Sequence, residues 1–166
     1  SDIGVANDFR RIGLVRDPYN FGTTTVASAD TRRQLYATVF SSVSGTFTAD
    51  EEINQASTGA VGKVVEYDST NKILYFYQTR FPDCGTDSDG NLTAFSGANA
   101  ITGQTSSAAA TPNTSNSTTT NGTIFSSGYS NPELAFDSGD IIYVEERSPI
   151  TRASDQTENI KLIIEF

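Results

Sequence analysis

The sequence predicts an all-β fold that is mainly antiparallel and contains minimal helix. Short runs rich in Val, Ile, Tyr and Phe alternate apolar and polar residues, which is the period of a half-buried strand. Gly, Asp, Asn and Pro stand between these runs, where turns are required. Residues 28–36 leave helix and strand open, because they allow only one or two helical turns. Short strands at this spacing predict a small barrel or sandwich.

A β-hairpin is predicted in the middle of the chain. Residues 61–67 and 72–78 form two strand-like runs, and the polar residues 68–71 separate them as a turn. In the second run the odd-numbered residues share one face and the even-numbered residues the other, and apolar or aromatic side chains occupy both. We therefore expect both faces of this strand to be at least partly covered.

The two chain ends predict a second β layer. Residues 9–15 read as a strand that ends at the turn formers Asp17 and Pro18. Near the other end, 139–166 contains two strand-like runs, and the second one alternates apolar residues up to Phe166. Because chain ends fray unless they are anchored, an apolar last residue predicts that this end is docked in a sheet.

Composition divides the chain into three predicted regions. Residues 1–40 and 124–166 would form the β layer of the chain ends, and residues 41–95 a small barrel-like module. Residues 96–123 are almost entirely Ser, Thr, Asn, Ala and Gly, which is typical of a linker. We interpret that stretch as an extended arm or loop laid on its own domain or on a partner.

Charge and length exclude several classes of protein. A net charge of -9 and a pI near 4.3 argue against binding to nucleic acid, which requires clustered Lys and Arg, and against an anionic membrane surface. No apolar run approaches the roughly 20 residues of a membrane-spanning helix. The single Cys84 allows no internal disulfide. Without an initial Met, the chain is expected to be part of a longer product.

The sequence gives little support for a catalytic hydroxyl group or for a zinc site. A catalytic Ser or Thr needs an activating base, and the chain has no His. A Ser-Lys pair would have to use Lys63, Lys72 or Lys161, which all lie in or beside strand-like runs. One Cys and no His cannot form the usual zinc shell. We predict no cofactor.

Paired carboxylates are the more serious enzymatic option, because glycoside hydrolysis needs only two at a suitable separation. The clusters are 50–52 (Asp-Glu-Glu) and 145–146 (Glu-Glu). Adjacent side chains on a strand point to opposite faces, so neither cluster positions an acid and a base together. We therefore predict that the protein is not an enzyme.

Residues 83–91 resemble a calcium-binding loop in part. Asp83, Asp87, Asp89 and Asn91 supply oxygen ligands, but no Glu follows at the position of the bidentate ligand. Asp and Gly are also ordinary turn residues, and we favour the turn.

A dense group of charges follows the first strand-like run of 139–166. Its members carry both signs and are Glu145, Glu146, Arg147, Arg152, Asp155 and Glu158. Such a turn is either a solvated surface, where ion pairs contribute little, or the rim of a protein interface, where charges select the partner. The bidentate geometry of Arg adds weight to the interface.

Three motifs resemble one protein family. They are RIGLVRDPY at 11–19, GYSNPE at 128–133 and the stretch from GDIIY at 139 to IKLIIEF at 166. They are similar to a baseplate wedge subunit of T4-like contractile-tailed phages. The resemblance implies a structural virion protein of the tail baseplate, assembled in the host cytoplasm. It further implies a homodimer that contacts other wedge and fibre-attaching proteins, and it favours the interface reading of the charged turn.

The alternative is a carbohydrate- or receptor-binding β module of a tail fibre or a secreted protein. In that case an exposed row of aromatic side chains would line a groove. The candidates are Tyr67, Tyr75, Tyr77 and Tyr129.

Overall fold

The computed structural model describes residues 11–28, 33–78, 85–136 and 138–146. The chain divides into two compact units, one of Ser1–Pro18 with Gly139–Phe166 and one of Tyr19–Ser138. The described residues contain strands and turns but no helix, which confirms the all-β prediction.

In chain order, the strands of the described residues are β1 Arg11–Arg16, β2 Tyr36–Ser44, β3 Glu52–Gln55, β4 Ala60–Asp68, β5 Ile73–Tyr77, β6 Ile101–Gly103, β7 Ala109–Pro112, β8 Thr119–Thr120, β9 Thr123–Ile124, β10 Tyr129–Ser130 and β11 Asp140–Glu146.

Six strands of the unit Tyr19–Ser138 close into an antiparallel barrel. The hydrogen-bonded order is β2, β5, β4, β3, β6 and β7, and β7 pairs with β2 again. β2 takes part twice because its first half pairs with β5 and its second half with β7. The short strand β10 pairs with the first half of β2. Closure removes the unpaired strand edges that an open sheet would expose.

Two register shifts bend the barrel strands. One lies between Phe40 and Ser42, where β2 changes partner from β5 to β7, and the other between Val64 and Glu66 in β4. An extra residue on one strand bends it and increases its twist. A ring of only six strands needs this curvature to close.

The predicted hairpin is confirmed as β4 and β5. In its turn, Asp68 Oδ1 accepts hydrogen bonds from the backbone N–H groups of Thr70 (2.9 Å) and Asn71 (3.0 Å). Lys72 then takes the left-handed conformation with φ 55°. This local hydrogen bonding is why the polar residues 68–71 turn the chain here.

The barrel interior is filled by apolar side chains from all six strands and from the loops between them. These are Phe40, Phe47, Ile53, Ala60, Val64, Leu74, Phe76, Phe95, Ile101, Ala108 and Ala110. The rings of Phe76 and Phe95 meet edge to face with their centroids 4.8 Å apart. Gly62 makes room for them, because a Cβ there would lie 3.1 Å from Phe76 and 3.2 Å from Phe95.

A second, smaller core covers the outer face of β2 and β5. Ala37, Val39 and Ile73 alternate with interior residues along their strands, and Phe125 from the segment after β9 packs on them. Leu74 lies on the other face of β5 and is fully buried in the barrel. Both faces of β5 are therefore covered, as the sequence predicts.

The other unit contains a two-stranded ribbon of β1 and β11, which we call the ribbon. The strands are antiparallel, with Arg11 opposite Glu146 and Arg16 opposite Asp140 in the backbone register. Gly139 precedes β11 with φ 87°, and a Cβ there would lie 2.7 Å from the carbonyl oxygen of Arg16. Only glycine avoids both the strained φ and this contact.

Some predicted features lie outside the described residues. The possible helix at 28–36 includes residues 29–32, and β2 begins at Tyr36. The second strand-like run before Phe166 is also outside the described ranges. Residues 96–123, interpreted from composition as an arm or loop, include β6, β7 and β8.

Candidate protein interface

The charged turn predicted as an interface begins where β11 ends. The backbone of Glu145 pairs with that of Ile12, and the backbone of Glu146 with that of Arg11. The other four members, Arg147, Arg152, Asp155 and Glu158, lie outside the described residues. The structure therefore attaches the start of the turn to the end of the ribbon, and the predicted contacts of its side chains stay a prediction.

The ribbon itself exposes an unusual number of large apolar side chains. Four consecutive residues of β11 are exposed, and three of them reach 70 % (Ile141), 59 % (Ile142) and 61 % (Val144). Of the eleven exposed large hydrophobic residues in the described ranges, six belong to the ribbon. Single exposed apolar residues are ordinary, but a contiguous group marks a surface that binds something.

Both faces of the ribbon are apolar. Directly opposite residues of an antiparallel pair share a face, so Leu14 lies with Tyr143, and Val15 with Ile141 on the other side. A half-buried strand normally keeps one polar face for solvent. A two-stranded ribbon by itself is marginally stable in water, so we expect these two strands to be covered by further residues of the chain or by a partner.

The ion pairs of Arg16 contribute little to the stability of the ribbon. Arg16 Nη2 donates a hydrogen bond to Asp140 Oδ2 at 3.1 Å, and Arg16 Nε also lies 3.5 Å from Asp17. The side chains of Arg16 and Asp140 remain 62 % and 72 % exposed. Exposed ion pairs are typically worth less than about 1 kcal/mol. The apolar side chains are therefore the main binding potential of this surface.

The sequence carried a signal for this surface that pattern reading missed. Residues 141–144 read Ile-Ile-Tyr-Val without interruption, whereas a strand with one solvated face alternates. The register shift between Leu14 and Val15 leaves Ile142 without a directly opposite partner in the ribbon. An uninterrupted apolar run of this length indicates a strand that is covered on both faces.

The first candidate carboxylate cluster serves the fold. Glu51 is only 4 % exposed, and its carboxylate accepts hydrogen bonds from the backbone N–H groups of Thr48 (2.7 Å), Ser106 (2.9 Å) and Thr105 (3.2 Å), and from Ser106 Oγ (2.8 Å). Burial raises the pKa of Glu51, but these hydrogen bonds outweigh burial and hold the pKa below its usual range. Its neighbours Asp50 and Glu52 are exposed. The carboxylate of Glu51 thus ties the β2–β3 loop to the β6–β7 loop.

The aromatic residues of the alternative hypothesis are engaged within their unit. The ring of Tyr67 packs edge to face on Phe47, with centroids 5.5 Å apart. The hydroxyl of Tyr75 lies 3.1 Å from Thr123 Oγ1, and the hydroxyl of Tyr129 donates to the carbonyl oxygen of Gly97 at 2.7 Å. Tyr77, at the end of β5, is half-buried. This arrangement does not favour a glycan-binding groove.

The possible calcium loop has turn geometry in its described part. Asp87 Oδ1 accepts hydrogen bonds from the backbone N–H groups of Asp89 (3.0 Å) and Asn91 (2.8 Å). Asp83 lies outside the described residues. Within those residues, no group of three or more His, Cys, Asp or Glu side chains is placed to hold a metal ion.

The GYSNPE motif fastens its segment to the start of the barrel. Arg33 Nη2 donates to Ser130 Oγ (2.8 Å) and to the carbonyl oxygen of Asn131 (3.0 Å). The backbone N–H of Arg33 donates to Glu133 Oε2 at 2.9 Å, and the N–H of Glu133 donates back to the carbonyl oxygen of Arg33. Gly128 has φ 82°, and a Cβ there would lie 2.6 Å from the carbonyl oxygen of Asn113. This motif therefore contributes to the fold through geometry that other residues would not reproduce.

Comparison with known protein families identifies the family of this chain. The family model described as Bacteriophage T4, Gp8 matches residues 81–166, which is more than half of the chain. The chain belongs to this family. The match includes β11 and the GYSNPE motif, and it confirms the predicted resemblance. No curated protein and no solved structure matches the chain.

Membership in the Gp8 family gives the general function of the chain. The chain is a structural component of the baseplate wedge in a phage tail, and its place is the virion. A wedge component interacts with other baseplate proteins. The described residues include no helix that is long and apolar enough to cross a membrane.

Proposed function

We propose that this Gp8-family chain is a homodimeric wedge component that acts only through protein interfaces and catalyses no reaction. We further propose that the ribbon and the charged turn after it form one continuous assembly surface. The observation that carries the proposal is the exposure of apolar side chains on both faces of the ribbon.

The ribbon has the composition of an interface core. Ile141, Ile142 and Val144 together expose aliphatic surface that costs roughly 25 cal/mol for each Å² left in water. Protein interfaces concentrate apolar residues in a central patch and place polar residues at the rim. The charged turn directly continues β11, and this position suits a rim.

The presence of both charge signs in the turn supports a role in partner selection. Glu145, Glu146 and Arg147 place both signs next to the apolar strand, so a partner must present the complementary order. Self-association of a surface that carries both signs is compatible with a two-fold axis, because each residue then meets a different residue of the second copy.

The described carboxylates support the absence of catalysis. Glu51 is saturated by four hydrogen bonds within the barrel, and an acid or base needs a proton that a substrate can reach. Asp68 and Asp87 are likewise engaged in the turns that they form. The hydrogen bonds that these three carboxylates accept in loops and turns account for their positions.

A matched pair of substitutions tests the assembly surface. Ile141→Asp introduces a charge into the ribbon, and Ile124→Asp introduces the same charge at a residue of the other unit that is equally exposed, at 73 % against 70 %. Each protein is mixed with the other purified wedge proteins of the same phage, and complex formation is measured by co-sedimentation.

We expect Ile141→Asp to abolish or strongly weaken incorporation and Ile124→Asp to leave it unchanged. Because both side chains are exposed in the single chain, neither substitution should lower the melting temperature by more than the ordinary scatter of surface changes. Normal incorporation of the Ile141→Asp protein would refute the proposed role of the ribbon.

A further inference from the structure

The hairpin of β8 and β9 turns at an Asn-Gly pair. Asn121 and Gly122 have φ values of 47° and 75°. A two-residue hairpin turn with both φ values positive favours this pair, because Asn tolerates and Gly freely adopts the left-handed region. Asn-Gly occurs nowhere else in the sequence. The Asn-Gly pair therefore suits the backbone conformation of this turn. It is also a dipeptide that is prone to a chemical reaction.

The surroundings leave the dipeptide accessible. Asn121 and Gly122 are both exposed, and no atom lies within 4 Å of where a Cβ of Gly122 would stand. Glycine has no side chain to hinder an approach to its own backbone nitrogen. From this geometry we propose that Asn121 is a site of spontaneous deamidation that modifies the hairpin.

The reaction needs only the chain and water. The backbone nitrogen of Gly122 attacks Cγ of Asn121 and forms a new N–C bond, while the bond from Cγ to Nδ2 breaks. Ammonia leaves with the proton from the attacking nitrogen, and a five-membered succinimide remains. Water then opens the ring at either carbonyl, which yields aspartate or isoaspartate at position 121.

The short hairpin allows the movement that the reaction requires. We expect the attacking nitrogen to reach Cγ when the turn departs from its closed conformation. β8 and β9 have two residues each, so few hydrogen bonds oppose a local opening. The rate of deamidation should therefore follow the opening of this hairpin.

The product would act against the contact that anchors the turn. Asn121 Nδ2 donates a hydrogen bond to Asp68 Oδ2 at 3.1 Å. The carboxylate of Asp68 is charged at neutral pH, as aspartates ordinarily are, and hydrogen bonds from Asn71 are the main cause that lowers its pKa further. Deamidation replaces the donor with a second carboxylate facing the first. The two carboxylates at positions 121 and 68 then repel each other, and we expect the tip of the hairpin to separate from the β4–β5 turn.

Peptide mass spectrometry tests the site. The purified chain is incubated at mildly alkaline pH and digested at intervals, and the loss of the amide is followed at Asn121 and at Asn99. Asn99 is also exposed, but alanine follows it, so it is a matched control. We expect Asn121 to lose its amide, with isoaspartate among the products, while Asn99 keeps its amide. Equal retention of both amides would overturn the proposal.

Two kinds of variant test the deamidation reaction and its effect on the hairpin separately. Gly122→Ala should slow the loss of the amide, since the methyl group hinders the attack. Asn121→Asp reproduces the charge of the product without the reaction and should lower the melting temperature. Asn121→Gly removes the same hydrogen bond without adding a charge, and it should lower the melting temperature less. An unchanged melting temperature for Asn121→Asp would contradict the proposed release of the hairpin, whatever the rate of deamidation.

Discussion

Glu51 is a carboxylate that is buried away from water, at 4 % exposure. A carboxylate is rarely buried unless it is paired, yet this one lies buried in the β2–β3 loop with no ion pair to a cation among the residues that the structure describes. Four donors replace the water that it loses, three of them backbone N–H groups. Gly103 completes the arrangement, because a Cβ there would lie 2.6 Å from Glu51 Oε2. The residue therefore works as a fixed acceptor that joins two loops.

Replacing Glu51 by glutamine should destabilise the barrel. The amide has one acceptor oxygen, and its NH₂ group would face donors, so we expect a loss of about 1–3 kcal/mol in the free energy of unfolding. Urea titration at neutral pH measures this loss. Glu52→Gln is the control, because Glu52 is the exposed neighbour on β3 and should change stability little.

The same substitution predicts a dependence on pH. The pKa of Glu51 is lowered in the folded chain, so its contribution to stability is full above the ordinary value of 4.5 and is lost as pH falls through the folded pKa. The difference between the native chain and Glu51→Gln should therefore shrink at acidic pH. A difference that is the same at neutral and acidic pH would show that charge is not the cause.

At the scale of elements, the sequence predicts the strands that contain large apolar residues. The hairpin of β4 and β5 follows from alternation and from a polar turn, and the structure confirms both. β6 and β7 could not be recognised in this way, because Thr, Gly and Ala fill most of their positions. Those strands are set by long-range pairing with β3 and β2, and by the burial of Ile101 and Ala110 in the barrel core.

The segment after β9 provides a direct test of the second core. Phe125 is 2 % exposed and covers the outer face of β2 and β5, whereas its neighbour Ile124 is 73 % exposed. Phe125→Ala should reduce the free energy of unfolding by about 3–5 kcal/mol, the usual cost of removing a buried ring. Ile124→Ala should change it by less than about 0.5 kcal/mol. Similar losses in both variants, measured by thermal or urea unfolding, would mean that Phe125 does not anchor this segment.

At the scale of the whole molecule, sequence and structure contribute different parts of the proposed interface. The sequence indicates a charged turn after β11, and the structure adds the apolar ribbon that leads into it. The uninterrupted apolar run 141–144 indicates a strand covered on both faces, but a strand pattern does not reveal whether the covering layer comes from the same chain or from a partner. The predicted division into 1–40 with 124–166, 41–95 and 96–123 stays a prediction.

Charge reversal tests the predicted turn separately from the ribbon. Arg147→Glu and Arg152→Glu should weaken association with the second copy or with other wedge proteins, because an interface rim depends on complementary charge. Thermal stability should remain almost unchanged, since arginines that act only at an interface contribute little to the folding of the single chain. Lys72→Glu, a reversal on the barrel unit, is the control. Unaltered association of both arginine variants would remove the charged turn from the proposed interface.

Sedimentation equilibrium of the purified chain tests the central claim most directly. An assembly component that pairs through its ribbon should sediment with twice the 17.8 kDa mass of one chain, and Ile141→Asp should shift the mass towards that of a single chain. A native chain that remains at the mass of one chain at every concentration, or an Ile141→Asp protein that associates as the native chain does, would contradict the account.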